Sequence, residues 1–148
     1  TDKGPSLIEY NVRFGDPEAE ALLPRLTSDL LPALKALAED RLDTTPITFS
    51  DQAPVCAVMA APGYPGEPEK GAVIHGIDNA NALEGVHVFQ AGTLRDIAGE
   101  LIVAGGRVLA VCALGQNVAE ARARAYAGVN AISWPGATWR TDIGAKAL

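Results

Sequence analysis

The stretch Ser6-Leu7-Ile8-Glu9-Tyr10-Asn11-Val12-Arg13-Phe14 alternates in polarity. Ile8, Tyr10, Val12 and Phe14 fall on one parity, and Glu9, Asn11 and Arg13 on the other. Successive side chains of an extended backbone point to opposite sides, so the pattern predicts a strand with one apolar and one polar face. The polar face carries a carboxylate, an amide and a guanidinium at a spacing of two residues. Glu9 and Asn11 together offer hard oxygen ligands of the kind Mg²⁺ takes, with phosphates and water completing its shell. Arg13 continues that face and can grip an anionic oxygen with two N–H groups. A solvated strand face would carry polar residues as well, so the pattern alone leaves both readings open.

Gly15-Asp16-Pro17-Glu18 follows and reads as a strand-to-helix turn. Asp16 is expected as cap, Pro17 at the first helical position, and Glu18 near the positive helix end. The same turn would fix Arg13 and bring a helix N-terminus near a phosphate; spacing does not choose between the two. Leu23, Leu26, Leu30, Leu34 and Leu37 recur at intervals of three and four. That period predicts helix over residues 17–42, split in two by Pro24. Thr27 or Ser28 is expected to cap the second helix, with Pro32 in its first turn.

Asp43-Thr44-Thr45-Pro46 is a polar break and the expected domain boundary. Beyond it the pattern changes to strands, expected over 47–50, 55–61, 72–75, 86–90 and 107–114. Pro62-Gly63-Tyr64-Pro65-Gly66 is a stiff loop. Gly105-Gly106 is expected to turn the chain so that the last two strands pair antiparallel. A helix is predicted from Val118 to about Ile132, capped by Asn117 with Glu120 three residues on, a capping-box spacing. Its small residues Ala121, Ala125 and Gly128 suit close approach to a sheet.

The chain has 148 residues, 48% of them hydrophobic and 20% charged, which fits one domain, or a small domain plus a piece of another. A net charge of −6 counts against a nucleic-acid surface. No apolar run approaches the roughly 20 residues of a membrane helix. Neither nucleic acid nor membrane is an expected partner. Cys56 and Cys112 lie in apolar runs without zinc-site spacing. They read as reduced, buried thiols, with a disulfide as the other reading. His75 and His87 have no acid or thiol partner at a motif spacing. Gly105-Gly106-Arg107 precedes no helix and is no dinucleotide fingerprint, and phosphate-loop, zinc-protease and nucleophile-elbow patterns are absent. Thr1-Asp2-Lys3-Gly4-Pro5 opens without Met and reads as the interior of a longer protein.

The run Ile8-Glu9-Tyr10-Asn11-Val12-Arg13-Phe14-Gly15-Asp16-Pro17-Glu18 resembles the signature of the phosphoribosylamine–glycine ligase (glycinamide ribonucleotide synthetase) family. The resemblance continues through Leu23-Pro24-Arg25-Leu26 and Ser28-Asp29-Leu30. It returns in Gly63-Tyr64-Pro65-Gly66, Glu69-Lys70-Gly71, Phe89-Gln90-Ala91-Gly92-Thr93 and Gly105-Gly106-Arg107-Val108-Leu109, and closes with Arg140-Thr141-Asp142-Ile143-Gly144. Pro62, Glu20 and Ala145-Lys146 depart from the family pattern, and none of these touches Glu9, Asn11 or Arg13.

The resemblance implies an α+β fold. Residues 1–45 would be the last strand and helices of an ATP-grasp domain. Residues 46–148 would form a small antiparallel β domain with helices, similar to the one that closes biotin carboxylase. It implies a cytoplasmic, ATP-dependent carbon–nitrogen ligase of de novo purine synthesis. In that chemistry the glycine carboxylate becomes an acyl phosphate, which the amine of 5-phosphoribosylamine attacks, and Mg²⁺ or Mn²⁺ bridges the nucleotide phosphates. Glu9 and Asn11 match the family's metal ligands, and Arg13 matches a residue at the substrate side, with an implied catalytic and substrate-binding role. The family's enzymes are several hundred residues long. The adenine pocket, the phosphate-covering loop and the N-terminal substrate domain are therefore expected in an upstream part of the same enzyme, and the 148 residues alone are expected to be inactive. Two other readings compete: a non-catalytic β-rich interaction module, and another ATP-grasp carboxylate–amine ligase, of purine synthesis or of biotin-dependent carboxylation. The intact Glu9-Asn11-Arg13 face counts against the first. The Arg-Phe-Gly-Asp-Pro-Glu run counts against the second.

Overall fold

The structure, a computed structural model, describes residues 2 and 4–148. Thr1 and Lys3, which enter the reading of the opening residues, lie outside that set. The chain runs through α1 (Glu18–Leu22), α2 (Leu30–Ala38), β1 (Ala53–Ala60), α3 (Ile77–Asn81), β2 (Val86–Gln90), β3 (Thr93–Arg95), β4 (Leu101–Val103), β5 (Arg107–Gly115), α4 (Val118–Ala131) and β6 (Thr138–Trp139). Short 3-10 turns lie at Leu23–Arg25, Leu42–Thr44 and Ala145–Ala147.

An apolar run as continuous as Val108 to Leu114 has to be covered on both faces. It becomes the buried strand β5, flanked by β2 on one side and β1 on the other. The sheet order is β2-β5-β1-β6, antiparallel at each junction. Val55 lies opposite Ala113, Ala57 opposite Val111, and Met59 opposite Leu109. These residues form the face on which α4 packs, through Ala121, Ala125, Gly128 and Val129. A side chain at Gly128 would press into Val86 and Val111, so the small face is a packing requirement. The capping of α4 follows expectation: Asn117 Oδ1 accepts the Glu120 N–H at 2.9 Å. The Glu120 carboxylate reaches back one residue further than the usual box, to the Gln116 N–H at 2.6 Å.

The opposite face of the sheet carries Cys56 and Cys112, directly facing across β1 and β5. The short helix α1 lies against these two strands. Both thiols are free. The hydrogen bond to Cys56, and then burial, push the Cys112 thiol far above its ordinary range. Cys112 should therefore resist alkylation by iodoacetamide at pH 8 in the native chain, whereas half-buried Cys56 reacts. Intact mass should show at most one adduct before urea and two after it. Two adducts on the native chain would contradict the burial.

The antiparallel α+β architecture agrees with the expected fold class, and several local expectations are revised. Residues 5–14 form no ladder, and the chain bends at Arg13. A strand is held by a neighbour's backbone, and among the described residues none runs beside this one. Ile8, Tyr10 and Val12 consequently stand 94%, 81% and 95% exposed. Asp16 does not cap α1; Pro17 occupies the cap position without a side-chain bond, and Glu18 takes the Gly15 N–H at 2.6 Å. Asp29, not Thr27 or Ser28, caps α2, accepting the Leu31 N–H at 2.9 Å. Ser28 and Thr27 are drawn away to Thr48, whose N–H and hydroxyl they bind at 3.1 and 2.8 Å. Segments 47–50 and 72–75 make isolated bridges only: Phe49 with Leu26, Val73 with Ile102, and His75 with Ser133. Gly105-Gly106 does not join β2 to β5. The hairpin β3–β4 intervenes, and the two glycines lead from β4 into β5.

Candidate functional site

The Glu9, Asn11 and Arg13 side chains lie together, each linked to the next. Asn11 Nδ2 donates to Glu9 Oε1 at 3.0 Å, and Arg13 Nη1 donates to Asn11 Oδ1 at 3.1 Å. The three side chains make a ladder along one wall of an open cleft of about 680 Å³. The turn at Gly15-Asp16, the start of α1 and Arg107 also line it.

Local chemistry explains the shape. A Cβ at Gly15 would displace the Glu18 carboxylate that binds its N–H, so a side chain there would cost that bond. The Arg13 guanidinium lies over the same glycine, 3.6 Å from where that Cβ would stand. Arg107 reaches across from the sheet. Its Nη1 donates to the Asp16 carbonyl at 3.1 Å, and its Nη2 pairs with the Asp16 carboxylate at 3.4 Å. Glu20 also lines the cleft, and one of its carboxylate oxygens is buried without a hydrogen-bond partner. Such an atom carries a desolvation cost and marks a place where a donor belongs.

The donor set suits a hard divalent cation. Glu9 supplies an exposed carboxylate and Asn11 an amide oxygen, two residues apart on one side. Among the described residues no group of three or more His, Cys, Asp or Glu side chains is placed to enclose an ion. Mg²⁺ or Mn²⁺ commonly takes one or two protein oxygens, with phosphates and water filling the rest of its shell.

Other sequence candidates lie elsewhere. His75 lines a separate cleft with Asp78, Arg95 and Glu100, and His87 is exposed on β2. Arg107 and Glu20 belong to the cleft and escape a sequence reading. Arg107 has one weak signal, a charge set between Gly-Gly and a continuous apolar strand. Among the described residues no helix is long and apolar enough to cross a membrane.

Comparison with known proteins gives a consistent result. Residues 54–146 match the family described as phosphoribosylglycinamide synthetase, C domain. The chain is 53% identical over 148 residues to a phosphoribosylamine–glycine ligase of Mesorhizobium japonicum, covering 100% of this chain and 34% of that protein. It is 47% identical over 145 residues to a chloroplastic phosphoribosylamine–glycine ligase of Arabidopsis thaliana, covering 97% of this chain and 27% of the relative. The crystal structure of phosphoribosylamine–glycine ligase from Thermotoga maritima superposes with a TM-score of 0.71 at 34% identity, over 95% of this chain and 34% of that one. The chain thus spans about a third of the length of the bacterial relatives it matches. By the match over residues 54–146, and by likeness along its whole length, this chain belongs to the phosphoribosylglycinamide synthetase C-domain family.

Proposed function

We propose that the chain is the C-terminal third of an ATP-dependent carbon–nitrogen ligase that joins glycine to 5-phosphoribosylamine in purine synthesis. The observation that carries this reading is the Glu9–Asn11–Arg13 ladder, three chemically distinct groups turned into one cleft. In this reading residues 1–45 end an ATP-grasp domain and residues 46–148 form the β-rich domain that follows it. Glu9 and Asn11 hold Mg²⁺ or Mn²⁺ beside ATP. That ion, when bound, offsets the negative charge of the nucleotide phosphates.

The chain's own residues then position and neutralise, which is most of what a protein contributes to phosphoryl transfer. Arg13 faces the substrate side and grips an anionic oxygen with its planar donors. The Gly15–Glu18 bond fixes the turn behind it. The exposed parity Ile8, Tyr10, Val12 supports an upstream sheet that would cover it, as does the outward leucine set of α2, Leu31, Leu34 and Leu37. An exposed apolar edge of this kind is a liability unless paired. The cytoplasm, with its pool of ATP, is the compartment this reading assigns.

The purified 148-residue chain, given Mg-ATP, glycine and 5-phosphoribosylamine, should release no ADP above background. The ligase containing the upstream part should turn over. Robust glycine-dependent ADP release by the short chain would refute the division of labour proposed here. An inactive full-length protein would refute the ligase reading itself.

A further inference from the structure

We infer that Arg107 is a positioning residue that holds the Arg13 turn to the antiparallel sheet. The inference rests on the ligase reading of Arg13 given above. Its starting point is where Arg107 stands: the exposed first residue of β5, a strand otherwise buried. Its backbone is pinned on two sides. Arg107 pairs with Ala60 of β1, its carbonyl accepts the Gly92 N–H at 2.9 Å, and the preceding Gly106 carbonyl accepts the Ala61 N–H at 2.9 Å. Gly106 itself is pressed against the Tyr64 ring. The guanidinium therefore projects from a fixed base.

From that base it donates a hydrogen bond to the carbonyl of Asp16, 91 positions away, and pairs with the carboxylate of the same residue at 3.4 Å. A planar guanidinium that meets two oxygens of one residue fixes direction as well as distance. Asp16 adjoins Gly15, and the Arg13 guanidinium lies over Gly15. Position thus passes from the sheet through Arg107 and Asp16 to Gly15 and Arg13, and from Arg13 along the ladder to Asn11 and Glu9. The Arg107–Asp16 pair is about half exposed, so it adds little to stability. Its effect on placement is of another order, because small displacements of a group that orients substrate cost rate steeply. The two properties together define a signature: loss of activity without loss of fold.

The test is a double-mutant cycle in the full-length ligase, read as kcat/KM for glycine beside the thermal midpoint. Arg107→Ala should lower kcat/KM about tenfold or more with an unchanged midpoint, and Arg107→Lys, which keeps a donor for Asp16, should recover most of that loss. In an Arg13→Lys background, Arg107→Ala should add almost nothing, because residues that act through one another are not additive. Arg107→Gln, which keeps the stem, replaces the alanine variant if that one melts early. If Arg107→Ala and Arg107→Gln stay within about twofold of the parent, or if their losses multiply with that of Arg13→Lys, the positioning role is overturned. If Arg13→Lys itself leaves kcat/KM unchanged, the reading of Arg13 fails first and takes the inference with it.

Discussion

Glu9→Gln in the full-length ligase should lower kcat by about 100-fold at millimolar Mg²⁺ while leaving the thermal midpoint where it was. Glutamine keeps the length of the side chain and an oxygen for the Asn11 N–H, so the ladder has no steric reason to break. Glu9 is exposed, and its loss of charge removes no buried partner. What disappears is one negative oxygen from the proposed Glu9–Asn11 metal site. Charge stabilisation by a bound cation amounts to several kcal/mol in such reactions, and about 3 kcal/mol corresponds to the stated factor. Raising Mg²⁺ should recover part of the activity, because a weakened site refills by mass action. A Mg²⁺ titration of parent and variant checks both statements. Parent-like activity of Glu9→Gln at low Mg²⁺ would remove Glu9 from the ligand set. Asn11→Asp should be far milder, since it keeps a hard oxygen at the same position.

The elements legible in the sequence are those whose cause is local. The run Val108 to Leu114 announces a buried strand, and Asn117 with Glu120 announces the start of α4. Glu9, Asn11 and Arg13 were legible as a one-sided group, because their common side follows from parity alone and needs no partner strand. That residues 6–14 would lack a ladder was not, since pairing depends on a neighbour that parity cannot supply. Asp16 shows the same limit at a single residue. Local rules make it a cap, yet its carboxylate is taken by Arg107 from the far side of the fold. The hairpin of Thr93–Arg95 and Leu101–Val103 is too short to show alternation, and the five residues of α3 complete little more than one turn. Arg107 and Glu20 enter the cleft through tertiary packing, which no spacing in the sequence encodes.

Gly76→Ala should damage the fold severely. Gly76 precedes α3 with φ of 87°, in the left-handed region. A Cβ there would overlap the carbonyl oxygen of Ala131, at the end of α4, and would stand 3.3 Å from Ile132 Cα. These are backbone atoms, so no side chain can swing aside. The surroundings are closed as well. His75 and Ser133 exchange N–H···O bonds of 2.9 and 3.0 Å, and Ile132 and Trp134 are buried beside them. Relief therefore requires prising the 75–76 backbone from residues 131–133. The left-handed conformation costs about 1–2 kcal/mol for alanine, and each bond lost from the bridge adds about 1 kcal/mol. The total, about 3 kcal/mol, should lower the urea midpoint by about 1.5 M for a slope near 2 kcal/mol/M. Gly71→Ala separates the two causes. Gly71 has φ of 92°, but nothing stands within 4 Å of its Cβ position, so only the conformational cost remains. Equal midpoints for the two variants would mean that the contact with Ala131 is relieved without cost, and the close approach of residues 75–76 to the end of α4 would then not be a constraint on this fold.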